Sequence, residues 1–284
     1  MIQVLLQALI NGLLLGGIYA LLSLGLNLIF GVLKTINLAH GAFLMVGMYL
    51  CYFLWELFSV DPLMSLPIVV IALFSLGVLI ERFIVRPALK ISPGQLLVII
   101  VGLSMVIEYT FLVLFSPNYR YVRIPSMVYE IFSLRIPAIR VVALSVSIIA
   151  SVIFYYIISK TQIGRIIRAV ALDRVRAALL GINTDRAYGI SYAMGVALCG
   201  VTACLLTPIY HIYPLVGGYF IPPAFVVCIF GGLGNFTGGL IAAFMVGVIE
   251  SIIGLLYNVE LARAVTFAIV MALLYFRPTG LMGE

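Results

Sequence analysis

Long apolar runs, broken by short clusters of charged, Pro, Gly and Asn residues, set the pattern of this chain. Nine runs stand out, at about 4–30, 38–57, 62–81, 95–116, 141–160, 188–208, 220–234, 238–257 and 262–276. A bilayer core about 30 Å thick takes roughly 20 apolar residues in a helix. The runs 220–234 and 262–276 fall short of a straight crossing. The pattern therefore predicts an all-α polytopic membrane protein with eight or nine transmembrane helices, some of them broken or re-entrant. Residues 1–284 form a single transmembrane domain, whose longest polar connections are 117–140 and 161–187.

Composition narrows the class. Hydrophobic residues make up 64% of the 284 and charged residues 9%, against about 25% charged in soluble domains. So few charges cannot cover a globule, which excludes a soluble enzyme, a nucleic-acid binder and a disordered chain. Cys51, Cys199, Cys204 and Cys228 lie in apolar stretches without C-x-x-C spacing and read as packed small hydrophobes. Met1-Ile2-Gln3 lacks a basic signal-peptide start, and the run behind it is too long for one, so it reads as a span.

The net charge of +6 carries topology. With 161–187 inside, the nine-run arrangement puts 11 basic residues inside, including Lys34, Arg82, Arg86, Lys90 and Arg277, and 5 outside, namely Arg120, Arg123, Arg135, Arg140 and Arg263. That asymmetry predicts the N-terminus outside and the C-terminus in the cytoplasm; the four arginines of 117–140 run against it. Small residues recur at four-residue spacing, as Gly12 and Gly16 and as Gly239, Ala243 and Gly247, which favours close helix packing in the bundle over a dedicated dimer seam. The strings Ala42-Phe43-Leu44-Met45-Val46-Gly47 and Ala243-Phe244-Met245-Val246-Gly247 echo one another, as repeats in transporters can.

The least membrane-like stretch runs from Lys160 to Arg186 and holds six of the 16 basic residues. Residues 165–180 lack Pro and read as one helix. Leu172, Val175 and Leu179 form an apolar stripe, Asp173 and Arg176 can pair at i, i+3, Gly181 suits a C-cap and Asn183-Thr184-Asp185 an N-cap. Such a helix either lies on the membrane surface with arginines on headgroups or docks a cytoplasmic partner. Sequence physics leaves both open.

This stretch, with Ala177-Ala178 and Gly181-Ile182-Asn183-Thr184-Asp185-Arg186, resembles the coupling loop of ABC-importer permeases. Along nearly its whole length the chain resembles the membrane subunits of branched-chain (hydrophobic) amino-acid ABC transporters. The resemblance includes Asn11-Gly12, Gly16 to Leu21, Gly31, Thr35 to Gly41, Gly231 to Asn235 with Gly238, and Arg277 to Leu281. Arg176 stands where the general coupling motif has Glu. The resemblance implies an ATPase-coupling role for Arg165, Arg168, Asp173, Arg174, Ala177, Ala178 and Gly181. It also implies a second homologous permease subunit, two cytoplasmic ATPases that hold ATP and Mg, and an extracytoplasmic substrate-binding protein. No lysine here completes a G-x-x-x-x-G-K-[ST] loop, so this chain binds no ATP by that motif and is not itself an enzyme.

Polar residues at membrane depth are expensive and mark routes or register-fixing bonds. Asn27, Asn37, His40, Glu108 and Glu250 are such residues. One reading places carboxylates near a substrate ammonium, and amides or helix N-termini near its carboxylate. The other makes them structural. Only His211 accompanies His40, so a metal site is not expected. Gly231, Gly232, Gly234 and Gly238 form a helix break that could hinge. The loop 117–140 reads as an outside surface that could meet a binding protein.

No G-x-S-x-G or H-E-x-x-H motif is present. The expected function is the permease subunit of an ATP-driven importer, in the inner membrane of a bacterium or archaeon, forming with the second permease the route for branched-chain or other hydrophobic amino acids and working by alternating access. Permeation of urea or short amides is an alternative. So are an ATP-independent transporter or channel using Glu108 and Glu250, and a non-transporting scaffold.

Overall fold

A computed structural model describes residues 2–89, 91–124, 128–131, 134–277 and 280–282. Lys90, counted above among the inside cations, lies outside the described residues, as do Pro278 and Thr279 of the tail. The chain is an all-α polytopic membrane protein: among the described residues, eight helices are long and apolar enough to cross a membrane. They are α1 (Ile2–Leu33), α2 (His40–Phe58), α3 (Leu66–Ile80) with its extension, α5 (Pro93–Phe115), α6 (Ala138–Lys160), α9 (Thr184–Leu206), α11 (Phe236–Leu256) and α12 (Val259–Phe276).

The two short runs part company. Asn258 accepts a hydrogen bond from Leu261 N and starts α12 early, which lengthens 262–276 to an 18-residue helix. The run 220–234 becomes α10 (Gly217–Gly231), 15 residues with Pro222 and Pro223 inside it, about 22 Å long at 1.5 Å per residue. It begins deep in the bundle. There the backbone of Gly217 touches that of Gly41 in the first turn of α2, so two helix N-termini meet.

A π-turn (Glu81–Val85) follows α3 and leads into the single turn α4 (Arg86–Ala88). The i→i+5 geometry of a π-turn brings Arg86 onto Glu81, five residues back, through bonds of 3.1 and 2.8 Å. Glu81 is fully buried, and Arg86 also donates to Asp185 O on α9. Nothing in the hydrophobic pattern at the end of the run 62–81 marks this pair.

The core is two reciprocal triplets, α1–α2–α3 and α9–α10–α11. The first helix of each packs on the third helix of the other: α1 on α11, and α9 on α3. The sequence echo, by contrast, relates α2 to α11, which do not hold equivalent places. The small-residue pairs sit on the α1–α11 contact: a Cβ on Gly247 would lie 2.6 Å from Gly16 N, and one on Gly12 would lie 2.5 Å from Val248 Cα. With no hydrophobic force between helices in lipid, this approach supplies the dispersion contact that holds the pair.

The single helix expected over 165–180 is two: α7 (Gln162–Leu172) and α8 (Arg174–Leu179). Asp173 breaks it, because its carboxylate accepts from Val175 N and Arg176 N and so caps α8 instead of continuing α7. At the other end of the bundle, 117–140 holds an antiparallel hairpin of β1 (Val128–Ile131) and β2 (Leu134–Pro137). Arg140 belongs not to this loop but to the first turn of α6.

Candidate functional site

Charge gathers first at the hairpin end, where α1, α6, α10, α11 and α12 meet. Tyr19 Oη donates to Glu250 Oε2 at 2.8 Å, and Arg263 Nε reaches Glu250 Oε1 at 3.3 Å. The Arg263 guanidinium lies 3.5 Å from the ring centre of Tyr219, while its Nη2 is buried without a hydrogen-bond partner. Beside this group opens a cavity of about 250 Å³ lined by Asn11, Tyr19, Arg140, Tyr210, Tyr219 and Glu250 with Leu15, Leu255 and Val259. Arg140 makes one long contact there, from Nη1 to Asn11 Oδ1 at 3.5 Å.

Two further cavities lie against the opposite face of α1. Gly17, Ala20 and Leu24 of α1, Ser147, Ser151 and Tyr155 of α6, and Phe236, Thr237 and Leu240 of α11 line a mostly apolar space of about 470 Å³. A third, of about 510 Å³, shares Tyr155, Phe236 and Thr237 and reaches Lys34, Arg168, Leu172 and Asn235 under α7.

The other intramembrane polar residues go elsewhere. Asn27 clamps the Gly-rich turn: its Oδ1 accepts from Gly234 N at 3.1 Å and its Nδ2 donates to Asn235 O at 3.4 Å. Gly232 and Gly234 hold positive φ in that turn, of +100° and +85°, a region side chains avoid. Gly231 and Gly238 are helical residues whose backbones meet where α10 and α11 cross. The tail closes over the turn through Leu281 N to Phe230 O and Asn235 Nδ2 to Met282 O.

Asn37 and His40 sit where α1 breaks into α2. Asn37 Oδ1 accepts from Ala39 N and, at 3.5 Å, from Tyr192 Oη. Both ring nitrogens of His40, and Asn37 Nδ2, are buried without a partner. The His40 ring fills a notch beside Gly25. Glu108 is half-buried on α5, a helix that packs mainly on α2, and is bonded to Ser104 at 3.1 Å. Among the described residues, no group of His, Cys, Asp and Glu could hold a metal ion.

The α7–α8 end presents a different surface. Leu172, Val175, Leu179 and Leu180 are 88%, 69%, 82% and 81% exposed; the break at Asp173 puts Leu172 at the end of α7 and the others on α8 and its C-cap, so the stripe expected on one helix is divided between two, and it is uncovered within this chain. Thr161 caps α7, and Arg168 Nη1 donates back to Ile158 O, folding α7 against the end of α6. Arg165 follows Gly164 in α7's first turn and is exposed. Arg174 pairs with Asp185 at 3.5 Å and lies 4.8 Å over the Tyr188 ring. Ala177 is buried and Ala178 exposed. Gly181, at φ +80°, closes α8 through Gly181 N to Ala178 O, and Asn183 caps α9. Arg86 and Arg174 thus tie α4 and α8 to the same first turn of α9.

A family model described as the branched-chain amino acid transport system / permease component matches residues 8–274. The chain belongs to that permease family. Among its relatives, the high-affinity branched-chain amino acid transport system permease protein LivH of Salmonella typhimurium is 30% identical over 98% of this chain and 96% of its own length. BraD of Pseudomonas aeruginosa, which bears the same description, is 29% identical with the same coverage. A probable branched-chain amino acid transport permease LivH of Methanocaldococcus jannaschii is 26% identical over 93% of this chain and 88% of its own. No solved structure matches. In this permease the pattern of the sequence marks Arg140 and Arg263 only as outside cations and does not mark Tyr19, Tyr210 or Tyr219 as neighbours of Glu250. One signal was available: a carboxylate at the depth of Glu250 needs a cation, and Arg263 begins the next span.

Proposed function

We propose that this chain is the permease subunit of an ATP-driven importer of branched-chain or other hydrophobic amino acids. It lies in the cytoplasmic membrane of a bacterium or archaeon, with the α7–α8 end in the cytoplasm, the N-terminus outside and the C-terminus inside. The observation that carries the reading is the uncovered stripe Leu172, Val175, Leu179 and Leu180 on a basic two-helix element, in a chain of the amino-acid permease family. A large exposed apolar patch rimmed by polar residues marks an interaction site.

Two ATPases dock below a pair of permease subunits, one on each α7–α8 element, and hold the ATP and Mg. A binding protein delivers substrate to the hairpin end. Motion at α8 passes through Arg174 and Tyr188 to α9, and through Asp185 and Arg86 to α3, switching the access of a route between the two sides. Of the polar residues, Glu250 stands in a cavity fit for a route. Asn27, Asn37 and His40 hold the breaks that must move.

The test is reconstitution in proteoliposomes with the two ATPases, the second permease and the binding protein. Leucine accumulation should require ATP. Accumulation that follows an ion gradient without ATP would overturn the reading.

A further inference from the structure

We propose that α5, α2, α10 and α12 form the face this chain turns to the second permease, and that the start of α10 and Glu108 line the route between the two subunits. The inference rests on the importer reading above and adds which side of the bundle the partner covers.

The four helices stand in a row: α5 packs on α2, α2 on α10 and α10 on α12, while α6 packs on α1 and α9 outside that row. Among the eight spans, α5 and α12 are the least covered by the rest of the chain. Lipid would suffice for such a face if it were apolar throughout, and it is not. The α10 helix begins within the membrane, where Gly217 meets Gly41. Next to Gly41, the His40 ring lies in the Gly25 notch, which also meets Gly195, the midpoint of α9. Pro222 and Pro223 have no N–H to offer the carbonyls of Gly218 and Tyr219, four residues back. Gly218 and Pro222 are exposed. Backbone groups freed at membrane depth are tolerated where protein buries them or where they line water, and not against lipid tails.

A second, independent observation lies on α5. Glu108, Phe111 and Phe115, at i, i+3 and i+7, share one edge of that helix, and both Phe rings pack on Tyr49 of α2. Glu108 therefore stands on the α2 side of α5, where its hydrogen bond to Ser104 stays within its own helix. A carboxylate at membrane depth faces protein or a water-filled cavity. On α12 the exposed positions Ala264, Ala268 and Ala272 repeat every four residues, a small-residue face that lets another helix approach closely. The contrast is α6, whose exposed Ile149, Val152 and Ile153 suit lipid and whose exposed Ser145 is bonded to Val141 O. The occupant of the row must pack apolar helix on α12 and yet bring polar groups or water to Gly218 and Glu108. Membrane helices that enclose a route do both, and the second permease supplies them. The cavity beside Glu250 borders the row at Tyr219 and Val259, so substrate arriving at the hairpin end would pass between the subunits.

The test uses the complete importer reconstituted in proteoliposomes, with l-leucine as probe. A photo-cross-linking p-benzoylphenylalanine placed at Ala268 should join this chain to the second permease, and the same group at Val152 on α6 should not. Independently, Gly218→Cys, whose new Cβ meets nothing within 4 Å, should fold, react with a membrane-impermeant thiol reagent and be protected by leucine during turnover. Glu108→Cys should behave alike, whereas Val152→Cys should react with a lipid-soluble maleimide alone. The native cysteines are all buried, so each new thiol reports alone on this chain. Cross-linking from Val152 and not from Ala268 would move the interface to α6, and a product of two copies of this chain would overturn the choice of partner. Gly218→Cys and Glu108→Cys labelled by the lipid-soluble maleimide alone would assign the row to lipid. Failure of the wild-type importer to take up leucine would instead sink the importer reading, which the cross-link from Ala268 does not depend on.

Discussion

Tyr19 on α1 donates its phenolic hydrogen to Glu250 on α11 across 2.8 Å, joining residues 231 positions apart. Glu250 therefore does not face the interior alone: Tyr19 holds one oxygen and Arg263 the other. Removing one member of a buried ion pair costs about 3–5 kcal/mol, because the partner charge stays behind, while a hydrogen bond to a charged group contributes about 1.5–3 kcal/mol. Glu250→Ala should therefore lower the unfolding midpoint in detergent more than Tyr19→Phe does. Equal shifts would place Arg263 in water.

The contact of α1 with α11 rests on absent side chains. Gly247→Ala would push a Cβ to 2.8 Å from Gly16 Cα, and such overpacking costs about 1–3 kcal/mol. Gly102→Ala on α5 meets nothing within 4 Å and should leave stability unchanged or slightly raised. Thermal unfolding of the two variants side by side checks the seam.

Arg174 meets Asp185 and Tyr188 at a half-exposed surface, where an ion pair contributes about 0–1 kcal/mol. Arg174→Ala should barely change the unfolding midpoint yet reduce substrate-stimulated ATPase activity several-fold in the reconstituted importer. Leu179→Asp, at an 82% exposed position, should fold normally and fail to retain the ATPases in a pull-down. Retention of the ATPases would assign the stripe to the membrane surface.

The Gly-rich turn tests pinning against free hinging. Gly234→Ala places a Cβ at φ +85°, where the left-handed penalty is about 1–2 kcal/mol. Asn27→Ala removes both bonds that hold the turn. Both variants should increase hydrogen exchange at 232–236, and Gly238→Ala should separate α10 from α11 instead, because Gly238 is helical and meets the Gly231 backbone. Unchanged exchange in Asn27→Ala would remove the clamp.

Several elements were legible because they depend on neighbours in the chain. The caps at Gly181 and Asn183 follow from residue type and position, as does the Asp173–Arg176 pair, found at 3.0 Å. The break at Asp173 was not, since an Asp inside a helical pattern either points outward or caps the next turn, and competing local bonds decide. The Glu81–Arg86 pair was missed because a spacing of five fits no regular α-helical pairing.

Sequence by itself determined that the chain is a bundle of membrane helices with one basic, amphipathic element. Those properties follow from hydropathy and charge, which each residue carries wherever it sits. Tertiary structure alone decided that Glu250 meets Tyr19 and Arg263, that Asn27 clamps a turn over 200 residues away, and that Arg140 opens onto the cavity beside Glu250. In a chain so uniformly apolar, the hydrophobic pattern does not say which helix faces of the bundle meet. Backbone approach at Gly12, Gly16 and Gly247 sets that, and so decides which scarce polar groups find each other.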